Sequence, residues 1–178
     1  MRVITGSARG KKLKTLDGND VRPTTDMVKE AMFSIIQFDI EDRIVLDLFS
    51  GSGQLGIEAV SRGAKQAVFV DKSRQSLSVT LENINSVGFS DRCKTVNKDY
   101  SLFLSGCTQQ FDIVFLDPPY STGILQDALN KLGSVIKDTS TVVCEHPFGE
   151  KMPENTGNLP LYRSYKYGKL AVTVYKKR

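Results

Sequence analysis

Residues 45–59 read VLDLFSGSGQLGIEA, an apolar run that breaks into glycines and resumes with residues at helical spacing. Gly51, Gly53 and Gly56 fit G-x-G-x-x-G between an expected strand and an expected helix. Glycines at such a junction let the backbone turn tightly and come close to a bound nucleotide. Asp71 closes the next apolar run, 20 residues beyond Gly51. A carboxylate there can accept from both hydroxyls of a ribose. Strand, loop, helix, strand and acid in this order point to an adenosine-bearing ligand. The glycine spacing alone would also fit NAD, and two further acids argue against it. Asp47 lies in the strand just before the loop, where a pyrophosphate site is normally apolar; a carboxylate suits a cofactor carrying an amine or a sulfonium. Asp99 follows the third apolar run and can accept from an adenine amino group, although taken singly it is a helix cap.

Working outward, strands are expected at 44–49, 67–71, 93–97, 112–117 and 140–145, and helices at 54–62, 74–87, 100–105 and 122–135. Alternation of this kind implies parallel strands with helices on both faces. Residues 161–177 read as two strands around Gly168, an antiparallel hairpin added to the sheet. Residues 148–160 read as a loop. At the other end, residues 2–16 (RVITGSARGKKLKTL) predict a hairpin turning at 6–10, too polar to contribute much core. A helix then follows, capped by Thr25 or Asp26. Its expected buried face is Met27, Val28, Ala31, Met32, Ile35 and Ile36.

Residues 115–120 read FLDPPY. The β-branched, apolar run before them predicts a buried strand that stops abruptly. Neither Pro118 nor Pro119 can donate to a sheet ladder, and each turns the residue before it away from helix. The result is a stiff strand end carrying the carboxylate of Asp117 and the ring of Tyr120.

Composition bounds the rest. The chain of 178 residues is expected to form one domain, with residues 1–22 as an extension on a core of 23–178. No apolar run reaches the ~20 residues that span a bilayer, and a cytoplasmic monomer is the expectation. The three cysteines are far apart with no C-x-x-C, and His146 is the only histidine, so no metal site is expected. Charge is placed unevenly. Residues 1–22 hold six basic side chains against two acidic ones, and residues 162–178 hold six against none, while the net charge is only +4. Basic ends of this kind attract phosphate. The candidate phosphate contacts are Arg2, Arg9, Lys11, Lys12 and Lys14.

Taken in order, Asp47–Gly56, Asp71, Asp99 and Asp117-Pro118-Pro119-Tyr120 resemble a class I S-adenosylmethionine-dependent methyltransferase that acts on amines. With ITGSARGKKL, VRPTTDMVKEAMF and the final YGKLAVTVY, the resemblance covers nearly the whole chain and narrows to the RsmD family of 16S ribosomal RNA guanine-N2 methyltransferases. The resemblance implies an α/β, Rossmann-like fold. It would have a seven-stranded, mostly parallel sheet with an antiparallel last strand and helices on both faces, plus an N-terminal β-hairpin that grips RNA. It implies S-adenosyl-L-methionine as cofactor, and ribosomal RNA or the assembling small subunit as partner. Asp71 would hold the ribose and Asp99 the adenine. Gly51 and Gly53 would pass under the cofactor, and Arg22 and Thr24 would close its methionine end. Phe49, Lys72 and Tyr100 complete the implied cofactor set. Gln54 departs from the Ala common in the family, and Tyr120 from the common Phe.

Three other readings compete. Adenine N6 methylation uses the same acid–Pro–Pro motif, but no segment is left for a separate DNA-recognition domain. Glutamine-directed relatives carry Asn where Asp117 stands. A non-catalytic RNA-binding module would not need an intact Asp-Pro-Pro-Tyr.

Overall fold

The computed structural model describes residues 1–16, 26–120 and 122–177. Helix α1 (Asp26–Ile35) opens with an acid in its first turn, which suits the helix dipole. Five parallel strands follow, β1 (Ile44–Asp47), β2 (Gln66–Asp71), β3 (Cys93–Asn97), β4 (Phe111–Leu116) and β5 (Ile136–Pro147). They are connected through α2 (Gln54–Ser61), α3 (Arg74–Val87), α4 (Tyr100–Gly106) and α5 (Ile124–Lys131). The chain ends in β6 (Asn155–Thr156), β7 (Leu159–Tyr167) and β8 (Leu170–Tyr175).

The eight strands form one sheet in the order β3-β2-β1-β4-β5-β8-β7-β6, with β8 antiparallel to both neighbours. The eighth strand is a departure from the expected seven. It comes from the segment read as a loop, where Asn155–Thr156 pairs back on Leu159–Pro160 around Gly157 at φ 53°. A two-residue strand leaves no period in the sequence to detect.

The alternation of side chains along each strand divides the core into two layers. Val45, Phe69, Ile113 and Phe115 face one side, where α1, α2 and α3 cover them. Leu46, Val68, Val70, Val114 and Leu116 face the other, under α4 and α5. In α1 the buried face is Val28, Met32 and Phe33, continued by Ile36, whereas Met27 is 63% exposed. The expected face was therefore rotated by a residue. It also holds Lys29, whose Nζ donates to the Arg2 carbonyl at 2.7 Å and stands 3.6 Å from Glu58.

That lysine is one of several bolts on the N-terminal arm, residues 1–16. The expected hairpin is present: around the antiparallel bridge of Arg2 with Lys12, Val3 N–H donates to the Lys11 carbonyl at 2.9 Å, Gly10 N–H to the Val3 carbonyl at 2.9 Å and Leu13 N–H to the Met1 carbonyl at 3.0 Å. The arm is not the core-poor appendage its polarity predicted, because Val3, Ala8 and Leu13 are buried in the α1–α3 layer. Glu58 on α2 accepts the backbone N–H groups of Ile4 (2.8 Å) and Thr5 (3.0 Å). Ser61, one turn on, accepts from Ala8 N–H at 3.0 Å and donates to the Thr5 carbonyl at 2.6 Å. Three apolar side chains spaced among many charges escape a periodicity test, yet they suffice to seat the arm when the backbone is paired by side chains of α2.

Gly56 sets the distance between α2 and the sheet. A Cβ there would lie 2.3 Å from the ring of Phe69, which is wholly buried. Gly56→Ala is expected to cost about 1–3 kcal/mol through overpacking, read as a lower urea midpoint at unchanged m. A loss below about 0.5 kcal/mol would mean the Phe69 ring has room to turn aside.

Candidate functional site

In open α/β sheets, ligands bind beyond the carboxyl ends of the strands where the strand order reverses. Here that point lies between β1 and β4, because β1 is flanked by β2 on one side and β4 on the other. The glycine loop leaves β1, the Asp-Pro-Pro-Tyr corner leaves β4, and the two meet there.

The loop is held by two acids. Asp71 accepts Gly51 N–H at 3.0 Å through one carboxylate oxygen and Ser73 N–H at 2.8 Å through the other. Asp47 accepts Gly56 N–H at 2.9 Å. Gly51 and Gly53 take left-handed φ of 55° and 81°, and Gly53 N–H closes the turn on the Ser50 carbonyl at 2.7 Å. From beneath, α3 supplies two buried polar side chains. Thr80 donates to the Gly51 carbonyl at 2.8 Å, and Asn83 donates to the Ser52 carbonyl at 2.9 Å. Asn83 also exchanges hydrogen bonds with both backbone groups of Lys14, so one side chain ties arm and loop together. Thr80 and Asn83 were missed from the sequence. Their signal is a pair of polar residues three apart on the buried face of α3.

A cleft of about 630 Å³ opens above this loop. Asp47, Phe49, Gly51, Asp71, Lys72, Asp99 and Tyr100 line it, together with Asp117, Pro118, Pro119 and Tyr120. Sequence candidates from separate segments thus share one cavity. Gly53 does not line it. A Cβ there would press on Thr80 at 2.8 Å, so its role is the turn and not the ligand face. Arg22 and Thr24 lie outside the described residues.

Asp99 caps α4, accepting from Ser101 N–H at 2.9 Å, and remains partly open to the cleft. Beside it the rings of Phe49 and Tyr100 pack 5.3 Å apart at a tilt of 47°. The Tyr100 hydroxyl donates to Asp127 at 2.7 Å, which fixes that ring. Asp47 departs from its sequence reading. It is buried, and burial first of all pushes its carboxyl up to about 7, against the hydrogen bond from Gly56. At neutral pH it is therefore only partly a counter-charge, and its first task is to brace the loop.

At the corner, Pro118 is buried, Pro119 is exposed and Asp117 is partly open. Tyr120 donates its hydroxyl to the buried carboxylate of Glu145 on β5, a restraint that Phe could not make. Glu145 was also missed from the sequence, where it reads as one more residue of an apolar strand.

Two more polar groups on the cleft wall were not foreseen. Ser50 Oγ and Gln54 Oε1 are buried and have no hydrogen-bond partner among the described residues. The arm adds Met1, Thr15 and Leu16 to the wall, so it forms part of the pocket. Arg2, Arg9, Lys11, Lys12 and Lys14 are all exposed on the arm, and Lys14 pairs with Glu82. His146 is buried, with Nε2 2.7 Å from Thr173 Oγ1 and Nδ1 3.0 Å from the Pro147 carbonyl, so it is a structural residue. Among the described residues no group of three or more His, Cys, Asp or Glu is placed to hold a metal ion, and no helix is long and apolar enough to cross a membrane. A second groove, of about 710 Å³, lies at the opposite ends of the strands by Asp39, Arg43 and Asp112 and holds none of the candidate residues.

A mostly parallel sheet with this cleft at its switch point is the fold of a Rossmann-like methyltransferase. Residues 1–176 match the family described as "Conserved hypothetical protein 95". The chain belongs to this family, which is the RsmD family its motifs resemble. It is 36% identical over 183 residues to "Putative rRNA methyltransferase YlbH" of Bacillus subtilis, covering 100% of both chains. It is 32% identical over 179 residues to "Ribosomal RNA small subunit methyltransferase D" of Escherichia coli K12, covering 99% of this chain and 90% of that one. Among solved structures, "Putative methyltransferase yhhF from Escherichia coli" superposes with a TM-score of 0.89 at 32% identity, covering 100% of this chain and 98% of that one.

The raised Asp47 carboxyl has a measurable consequence. The unfolded chain releases that proton near 3.8, and the folded protein keeps it up to about 7. Across that window the folded state binds more protons, so its stability falls as pH rises, and the full cost is present above about 7. Asp47→Asn keeps an oxygen for Gly56 N–H and removes the titration. Urea unfolding should show the variant gaining on the wild type from about pH 4 to about pH 7. A constant difference over that range would mean Asp47 is ionised throughout.

Proposed function

We propose that this protein is an S-adenosylmethionine-dependent methyltransferase that methylates the exocyclic N2 amine of a guanine in small-subunit (16S) ribosomal RNA, acting as a monomer in the cytoplasm. The observation that carries the reading is that the Asp117–Tyr120 corner opens into the same cleft as Asp71 and Asp99. The names of the full-length relatives support ribosomal RNA as substrate.

The cleft fits the cofactor. Its size is in the range of small-molecule sites. Both carboxylate oxygens of Asp71 keep a lone pair beyond the backbone bonds they already accept, enough for two ribose hydroxyls. Phe49 and Tyr100 wall the adenine end beside Asp99. Ser50 and Gln54 offer unmatched polar atoms to a ligand. When bound, S-adenosylmethionine supplies an electrophilic methyl group on a sulfonium.

The protein's part is aim and charge. Guanine's amine is a poor nucleophile because its lone pair is delocalised into the ring. Asp117 and the Pro118 carbonyl accept its two N–H bonds, which pulls nitrogen toward tetrahedral geometry and points the lone pair along the transfer line. Asp117 would also be the base at hand for the proton the amine must lose on being methylated. The two prolines hold both acceptors in place before substrate arrives. Tyr120, pinned by Glu145, offers its ring to a base drawn out of its stack.

Asp117→Ala should abolish methyl transfer to ribosomal RNA from a strain lacking the protein, while cofactor affinity by calorimetry stays near normal. Mapping the labelled nucleoside completes the test. Wild-type turnover in the variant, or label in N6-methyladenosine, would overturn the assignment. Neutralising Arg2, Arg9, Lys11 and Lys12 should weaken RNA binding and flatten its salt dependence, by about 0.7 in log–log slope for each phosphate no longer neutralised. Lys14→Ala should do least, since Glu82 already holds that ammonium. An unchanged slope would make the arm's charges bystanders.

A further inference from the structure

The basic tail, residues 162–178, has no part in the site as built so far. The fold divides it. Lys176 and Lys177 lie at the opposite end of the strands from the cleft, where they pair with Asp39 (3.2 Å) and Asp138 (2.9 Å), and Arg163 shares their groove. Because β7 runs antiparallel to β8, and β8 antiparallel to β5, the turn at Gly168–Lys169 returns to the catalytic end. Among the described residues, Lys166 and Lys169 are the tail's cations there, and both are exposed.

Between them stands Phe148, the first residue after β5 and 55% exposed. It is held in place, with its N–H donating to the Lys169 carbonyl at 2.9 Å. Lys166 Nζ sits 4.0 Å from the ring centroid. Pro147, just before it, lines a recess shared with Pro118, Pro119 and Tyr120. A large apolar ring is thus kept in water, braced by a strand end, beside the catalytic corner, with an ammonium over one face.

We propose that Phe148, Lys166 and Lys169 form a second nucleic-acid subsite, a platform on which a nucleobase flanking the target stacks while the lysines meet its phosphates. The inference rests on the RNA methyltransferase reading above and extends it. Every base has a π-face, so an exposed ring among cations grips single-stranded RNA without reading its sequence. Lys166 covers one face of the ring, and the base takes the other. In strand order, β4 with Asp117 stands between the arm, bolted to α2 and α3, and this β5–β8–β7 corner. A strand held at both places would offer its middle nucleotide to Asp117.

The chain contains no tryptophan, so Phe148→Trp introduces a single fluorescent reporter. Its emission should be quenched by a short mixed-sequence single-stranded RNA and not by inorganic polyphosphate, which carries charge without bases. Phe38→Trp, at a position 93% exposed beside Asp39 at the opposite end of the strands, should respond to neither. Phe148→Leu should raise the dissociation constant for that RNA roughly 5- to 100-fold, with melting temperature and cofactor affinity unchanged. Equal quenching by RNA and polyphosphate, an unresponsive F148W indole, or an unaltered RNA affinity in Phe148→Leu would each overturn the platform. A wild-type protein that transfers no methyl group to ribosomal RNA while F148W is still quenched by RNA would overturn the reading under Proposed function and leave the platform standing.

Discussion

The structure turns on the hydrogen bonds that hold the glycine loop between two carboxylates. A loop with left-handed glycines has no ladder of its own, and its backbone groups must find partners or remain in water. Asp47 and Asp71 take the N–H groups of Gly56 and Gly51, while Thr80 and Asn83 take the carbonyls on the underside. The upper surface is left as a clean face for a ligand. One acid achieves this buried and at the cost of a raised carboxyl, the other partly open with lone pairs to spare. The two acids, alike in sequence, differ in function because burial treats them differently.

The same side chains make the N-terminal arm part of the site. Asn83 bonds Ser52 and Lys14 at once, and Glu58 with Ser61 clamps residues 4–8 onto α2, the helix that the loop begins. The arm carries exposed cations outward and lays Met1, Thr15 and Leu16 along the cleft. A pull on the arm would therefore reach the glycine loop. The arm is thus anchored to the same side chain that braces the glycine loop.

Much of the fold was legible because it repeats. The alternation of apolar runs with helical spacing from residue 44 onward named all five parallel strands and the four helices between them, with ends shifted by a few residues. The terminal hairpin was legible through Gly168. What escaped was short or non-periodic. The Asn155–Thr156 strand is too brief to show a period, and the arm's three core residues are scattered among charges. In α1 the hydrophobic set had two nearly equivalent faces, and packing against the sheet chose Phe33 over Met27.

By itself the sequence determined the chemistry on offer, because acids, prolines and glycines at fixed spacing constrain backbone and charge locally. It named Asp71, Asp99 and the Asp117–Tyr120 corner as residues of one site. Only the tertiary structure decided which partners those groups have. Asp47 became a brace with a raised carboxyl, Gly53 a turn residue, Tyr120 a ring pinned by Glu145, and the basic tail two clusters at opposite ends of the last strands. These outcomes depend on burial, as at Asp47, or on residues tens of positions apart coming together, as with Tyr120 and Glu145 or Lys176 and Asp39, and both are properties of the folded chain that no local pattern encodes.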